Sequence, residues 1–282
     1  VSSRDALHWA ASELKATAFA EVARVAAAHG IPVVPVKGVL TSHLLYADPS
    51  ERPMVDVDVR VRARDLDRFC AAAEAAGWPV TERSRAYRNA AMEVEGERVE
   101  LEAHLGPPGF CRITADDLIA RATEHVEPFG VPHLQPEIHD HALVLVVNAF
   151  KDQLVQASHH ALLDLARLAE RPTFSFEILA ERALTGGVAT IAWLVAEWLE
   201  REKGQVRWAE LRAALGARPL RPHYASAFRF LAVSRNASLP LRLLVRAGPD
   251  TLAMQARSLA HTAGWMLETL ATDPSLALGR VR

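Results

Sequence analysis

The run Met54-Val55-Asp56-Val57-Asp58-Val59-Arg60-Val61 constrains this chain more than any other stretch. Alternation of β-branched and charged residues marks a strand with one buried and one polar face. On that reading Val55, Val57, Val59 and Val61 point into a core, and Asp56, Asp58 and Arg60 share the opposite face. Two carboxylates one pleat apart repel each other and form strands poorly, so a fold that keeps them calls for a cation between them. Oxygen donors of this kind suit magnesium, which takes one or two carboxylates and completes its shell with water and phosphate oxygens. A solvated strand face is the simpler alternative, and the surrounding residues decide between the two.

Upstream, residues 5–29 are Ala-rich with helical spacing and end at Gly30, a residue suited to a left-handed helix cap. Residues 31–36 are short and β-branched, Lys37-Gly38 follows, and residues 39–46 have room for two helical turns, which predicts strand, tight turn and helix. A glycine at a helix start lets backbone N–H groups approach a phosphate chain, and Lys37 adds a point charge beside it. Residues 47–53 are turn chemistry with two prolines and carry Arg52.

Downstream, a helix is expected over 65–76, then strands around 78–81 and 87–94, a hairpin turn at Glu95-Gly96-Glu97 and a strand over 98–105. In that last strand Glu100, Glu102 and His104 share one face, with Val99, Leu101 and Ala103 on the other. A third carboxylate beside Asp56 and Asp58 would complete a site for two metal ions, one activating an acceptor hydroxyl and one holding a triphosphate. Alternation does not separate Glu100 from Glu102 in that role.

No element is assigned from the Pro/Gly-rich residues 106–109 to about 136. From there helical periodicity runs over 138–151, 159–170, 176–184, 188–201, 208–215, 224–233 and 249–270, lengths that suit a helical bundle. The expected class is α+β: a small mixed sheet with flanking helices over residues 1–132, followed by an all-helical domain over 133–282. With 282 residues, 50% of them hydrophobic, and a net charge of only -2, wholesale disorder and a broad basic field for a polyanion are excluded. Cys70 and Cys111 have neither zinc-ligand nor disulfide-scaffold spacing. No apolar run reads as a leader or approaches a membrane span, so a cytoplasmic protein without a membrane partner is expected.

These pieces together resemble a known family. Pro35-Val36-Lys37-Gly38-Val39-Leu40, Leu45-Tyr46-Ala47-Asp48-Pro49, Arg52-Pro53-Met54 and Asp56-Val57-Asp58 are similar to the Leu-Lys-Gly, Tyr, Arg-Pro and Asp-x-Asp pattern of a bacterial nucleotidyltransferase family. That family belongs to the superfamily of DNA polymerase β and the aminoglycoside nucleotidyltransferases. Val99-Glu100-Leu101 falls where the family carries a short acidic strand, and the register of that pattern favours Glu100 as the third carboxylate. Ala149-Phe150-Lys151 and residues 162–168 around Asp164 resemble its helical half, so the likeness covers about residues 5–200. Two departures stand out. Only Gly38 is present where the wider superfamily has a Gly-Gly or Gly-Ser pair, and Glu102-Ala103 replace a histidine and tryptophan common in the acidic strand.

The resemblance implies transfer of a nucleoside monophosphate from an NTP, ATP among the candidates, to a hydroxyl-bearing acceptor with release of pyrophosphate. Asp56, Asp58 and Glu100 would be the catalytic residues and the Mg²⁺ ligands, with Lys37, Gly38 and Arg52 on the phosphates. Lys151 and Asp164, charges set among apolar helical residues, either line a nucleotide cleft between domains or pair with each other. Removing either Asp56 or Asp58 is expected to abolish transfer with little loss of fold, both lying in a solvent-facing cleft. The acceptor, whether small molecule, protein side chain or RNA end, is not readable, nor is the oligomeric state. The alternative is a catalytically inactive nucleotide-binding or regulatory protein on the same scaffold.

His139-Asp140-His141, with Asp164, is faintly similar to metal-dependent HD phosphohydrolases. On a helix the two histidines point about 200° apart, so they do not grip one ion, and helix-start chemistry is the simpler reading. His159-His160 reads as a surface pair, and Trp193, Trp198 and Trp208 as bundle core.

Overall fold

The structure is a computed structural model that describes residues 3–153, 160–233 and 239–272. It divides into two compact units: Val1–Ser84, Arg88–His104 and Thr114–Glu137 form the first, and Arg85–Tyr87, Leu105–Ile113 and Ile138–Arg282 the second.

The first unit runs α1 (Ser3–Ala28), β1 (Val33–Val36), α2 (Gly38–Leu45), β2 (Val57–Val61), α3 (Leu66–Ala75), β3 (Val80–Ser84), β4 (Asn89–Val94), β5 (Glu97–Glu102), α4 (Ala115–Arg121), β6 (Thr123–His125) and β7 (His133–Gln135). The sheet is mixed, in the order β1-β2-β5-β4-β3, and only the β2/β5 pair is parallel. Val57, Val59 and Val61 are buried on one face together with Val99 and Leu101 of β5 and Met92 and Val94 of β4, packed under Phe19 and Val22 of α1 and Phe69 of α3. Burying that apolar face against two helices makes the unit fold. Pro35 sits in β1, an edge strand, where a missing N–H is tolerated.

The alternation read from the sequence does not extend to Val55, which is 85% exposed, because β2 begins only at Val57. Ladder partners explain the boundary: β1 pairing ends at Val36 opposite Asp58, and β5 pairing begins at Val99 opposite Val57. Asp56 therefore lies just before the strand. Residues 110–136, left without elements above, contain α4, capped by a Thr114/Asp117 capping box, and the β6/β7 ladder of three pairs. Elements of seven and three residues are too short to show a period.

The second unit contains α5 (Ile138–Asn148), α6 (His160–Leu168), α7 (Phe176–Gly186), α8 (Ala189–Lys203), α9 (Trp208–Leu215), α10 (Pro222–Val233), α11 (Leu239–Arg246) and α12 (Leu252–Thr272). α11 was not foreseen, and α5 gives way to a π-helical turn, Ala149–Gln153, which carries Lys151. Trp193 and Trp208 are buried as expected, and the Arg212 and Arg229 guanidinium groups lie over the Trp193 ring. Among the described residues no helix is long and apolar enough to cross a membrane.

Candidate active site

The polar face of the sheet is built by register. In the parallel β2/β5 ladder Asp58 stands opposite Glu100 and Arg60 opposite Glu102, so alternation that only assigned faces becomes a list of neighbours. Asp58 and Arg60 are nonetheless almost fully buried, and each is paired. Lys37 Nζ donates to Asp58 Oδ1 at 2.6 Å and lies 4.0 Å from Glu102 Oε2. Arg60 donates to Glu102 Oε2 and, at 3.0 Å, to the His104 carbonyl. Arg98 Nε donates to Glu100 Oε1 at 2.9 Å and Arg98 also pairs with Glu82. Burial of Asp58 corrects the expectation that both aspartates sit in an open cleft: Asp56 is partly exposed, whereas Asp58 is sealed beneath Lys37.

Lys37 reaches Asp58 because of where its backbone turns. It caps α2 at φ 56, ψ -136, outside the regions L-residues prefer, and the chain passes there from β1 into the helix. Gly38 opens α2 and is buried. A Cβ there would meet Met54 Cβ at 3.0 Å and approach Arg52 Nη1 to 3.7 Å. Arg52 is itself buried and donates from Nη1 to the Pro53 carbonyl at 2.6 Å. Its loop is fixed by a capping box in which Asp48 accepts the Ser50 N–H and Glu51 accepts the Asp48 N–H, around a short 3₁₀ turn, Pro49–Glu51. Lys37, Gly38, Arg52, Asp56, Asp58 and Glu100 are thus gathered at one end of β2, around the start of α2.

Electrostatics singles out Asp56. Burial pushes its carboxyl up, the neighbouring Asp58 and Glu100 charges push it further, and Lys37 offsets part of this, leaving it at about 6. For Lys37 burial works against the charge, but Asp58 and Glu102 outweigh it and hold the ammonium above its ordinary range. Mutual repulsion among Asp56, Asp58 and Glu100 is the chemistry of a site that accepts a cation. Among the described residues no three His, Cys, Asp or Glu side chains converge as a ready-made cage. The carboxylate oxygens of Asp56, Asp58 and Glu100 are donors of the kind that hard divalent cations take.

The sequence gives Arg60 and Arg98 no role and offers Glu102 only as the alternative third carboxylate, whereas here Glu102 is the partner of Arg60. Their alternation with Asp58 and Glu100 was visible, but the pairing that makes them counter-charges is non-local. Lys151 and Asp164 belong to the second unit, on the π-helical turn and on α6, which pack together, and Asp164 is completely buried. His139 and Asp140 serve helix packing: His139 Nε2 accepts the backbone N–H of Ser175, the N-cap of α7, at 2.8 Å, and Asp140 lies 3.3 Å from Arg182 Nε. His159 lies outside the described residues.

No curated protein matches the chain. A solution structure of the antibiotic-resistance factor ANT(2″)-Ia is similar over 68% of this chain and 95% of that one, at 16% identity and a TM-score of 0.41. Residues 6–201, which include every site residue above from Lys37 to Asp164, match the profile of the uncharacterised nucleotidyltransferases, and the chain belongs to that family.

Proposed function

We propose that the chain is a magnesium-dependent nucleotidyltransferase that moves a nucleoside monophosphate from an NTP to a hydroxyl-bearing acceptor and releases pyrophosphate. One observation carries this reading: the β2/β5 register sets Glu100 opposite Asp58, one step from Asp56, at the end of β2 that faces Lys37 and the start of α2. Asp56 and Asp58 would hold Mg²⁺ for the triphosphate, and together with Glu100 they would hold a second ion. The chemistry bound Mg²⁺ supplies is charge neutralisation on the phosphates and a lowered pKa for the acceptor hydroxyl.

The chain's own residues do the rest. Lys37, Arg52 and the backbone at Gly38 steady the phosphates. The acceptor oxygen bonds to the α-phosphorus, the bond to the pyrophosphate oxygen breaks, and the hydroxyl proton goes to solvent or, as the alternative, to Glu100. Lys151 and Asp164 are assigned to nucleotide binding on the family resemblance.

A second reading, a nucleotide-binding protein without turnover, draws on the ion pairs that already occupy Asp58 and Glu100. Thermal-shift and calorimetric titrations with each NTP plus Mg²⁺, on wild type and on Asp56→Asn/Asp58→Asn, followed by transfer assays with α-labelled NTP, separate the two. Magnesium-dependent binding lost in the double variant, with label moved to an acceptor, supports the transferase. Binding without transfer across an acceptor screen favours the second reading, and no binding of any NTP overturns both.

A further inference from the structure

α12 is built inside out. Its inner side, apart from Met254 near its start, is largely polar: Ser258 is fully buried, Thr262 Oγ1 donates to the Ser258 carbonyl at 2.9 Å and accepts the Tyr87 hydroxyl at 3.3 Å, and Glu268 accepts the Ala86 N–H at 3.0 Å. Trp265 stacks on Tyr87 at 5.3 Å between ring centres. Its outer side is apolar, with Leu252 82%, Leu267 68%, Leu270 44%, Met266 41% and Leu259 37% exposed. A surface helix ordinarily shows the reverse distribution, and an apolar stripe of this length facing water marks an interaction surface. The stripe lies beyond the residues matched by the family profile.

We infer that this face joins two copies of the chain as an antiparallel, two-fold symmetric helix pair. The outward residues Leu252, Ala256, Leu259, Ala263, Met266 and Leu270 follow one another at spacings of four and three, the seam of a coiled coil. Placing the two-fold axis at residue 261 sets Met266 against Ala256 of the second copy, Leu259 against Ala263, and Leu252 against Leu270. Two of these pairs set a large residue against an alanine and the outermost sets leucine against leucine, and the contact is self-complementary, as a two-fold interface must be. No charge lies on the seam to repel its copy. The one charged outward residue, Arg257, lays its stem against Gly109, whose Cβ position is 2.7 Å from Arg257 Cγ. A membrane-surface helix would instead carry Lys and Arg along its other face, and α12 carries none there. The seam runs about 27 Å at 1.5 Å per residue, about five turns of each helix.

Sedimentation velocity of the full chain across micromolar concentrations tests this. The expected result is a concentration-dependent shift from monomer to dimer mass, weakened at least about tenfold by Met266→Glu, which sets a carboxylate against Ala256. Register is tested separately: Ala256→Cys/Met266→Cys should form a disulfide-linked dimer under oxidation, whereas Ala256→Cys alone should not, its counterpart lying about 15 Å away. Monomer at every concentration overturns the inference and leaves the face to another occupant, such as residues 273–282. A wild-type dimer unaffected by Met266→Glu, or equal cross-linking by both cysteine variants, overturns it as well. Circular dichroism of each variant separates loss of pairing from loss of fold.

Discussion

Lys37 Nζ and Asp58 Oδ1 lie 2.6 Å apart, so the carboxylate at the centre of the site is neutralised by the chain's own ammonium. The pair is largely removed from solvent, which makes it costly to break from one side.

Asp58→Asn should therefore cost stability as well as activity, about 2–4 kcal/mol by chemical denaturation, because it leaves Lys37 charged and underpaired. Lys37→Met/Asp58→Asn should be more stable than Asp58→Asn alone, which a double-mutant cycle reads directly. Asp56→Asn, at a partly exposed position before the strand, should lose transfer with a far smaller stability change. Equal stability losses for the two aspartates would contradict the burial difference.

Glu100 and Glu102 should separate cleanly. Glu102→Gln removes the partner of the buried Arg60 and should destabilise by about 3 kcal/mol. Glu100→Gln leaves Arg98 with Glu82, at a more exposed site, and should cost about 1 kcal/mol or less while abolishing transfer. Retained turnover in Glu100→Gln would move the third carboxylate elsewhere.

Asp56 should leave a signature in the pH dependence of stability. The folded chain holds its proton up to about 6, above the ordinary carboxylate value of about 3.9 in the unfolded chain. Its contribution is complete below the ordinary value and is lost as pH rises through about 6. Between pH 4 and 6 the metal-free wild type should lose stability relative to Asp56→Asn, and Mg²⁺ with NTP should remove the difference. A constant difference across that window would show that Asp56 is not held against its neighbours' charge.

Gly38→Ala should raise KM for NTP more than it lowers stability. The added Cβ meets Met54 Cβ at 3.0 Å and crowds the space beside Arg52, and Met54→Ala in the same chain should recover part of the loss. An unchanged KM would remove Gly38 from the phosphate contacts.

Local sequence rules carried the first unit a long way. Val57 to Val61 could be read as a strand with an apolar and a charged face, Lys37-Gly38 as a strand-to-helix turn and Glu95-Gly96 as a hairpin, because each depends on residues a few positions apart. They failed where length or context ruled. α4, β6 and β7 are too short for a period to register, and Val55 continued a pattern after its strand had run out of partners.

Residue order was enough to define the faces of β2 and β5, the helix start at Gly38 and the membership of the family, since period, turn chemistry and motif are properties of neighbouring residues. Which charges meet was decided in three dimensions. A period of two assigns a side chain to a face but says nothing of the residue across the ladder, and the β2/β5 register alone set Asp58 beside Glu100 and gave Arg60 to Glu102. The same holds for α12, whose composition looks like an ordinary amphipathic helix until packing turns its polar side inward. Burial of one face against another is a collective outcome, settled by all the elements that compete for the core.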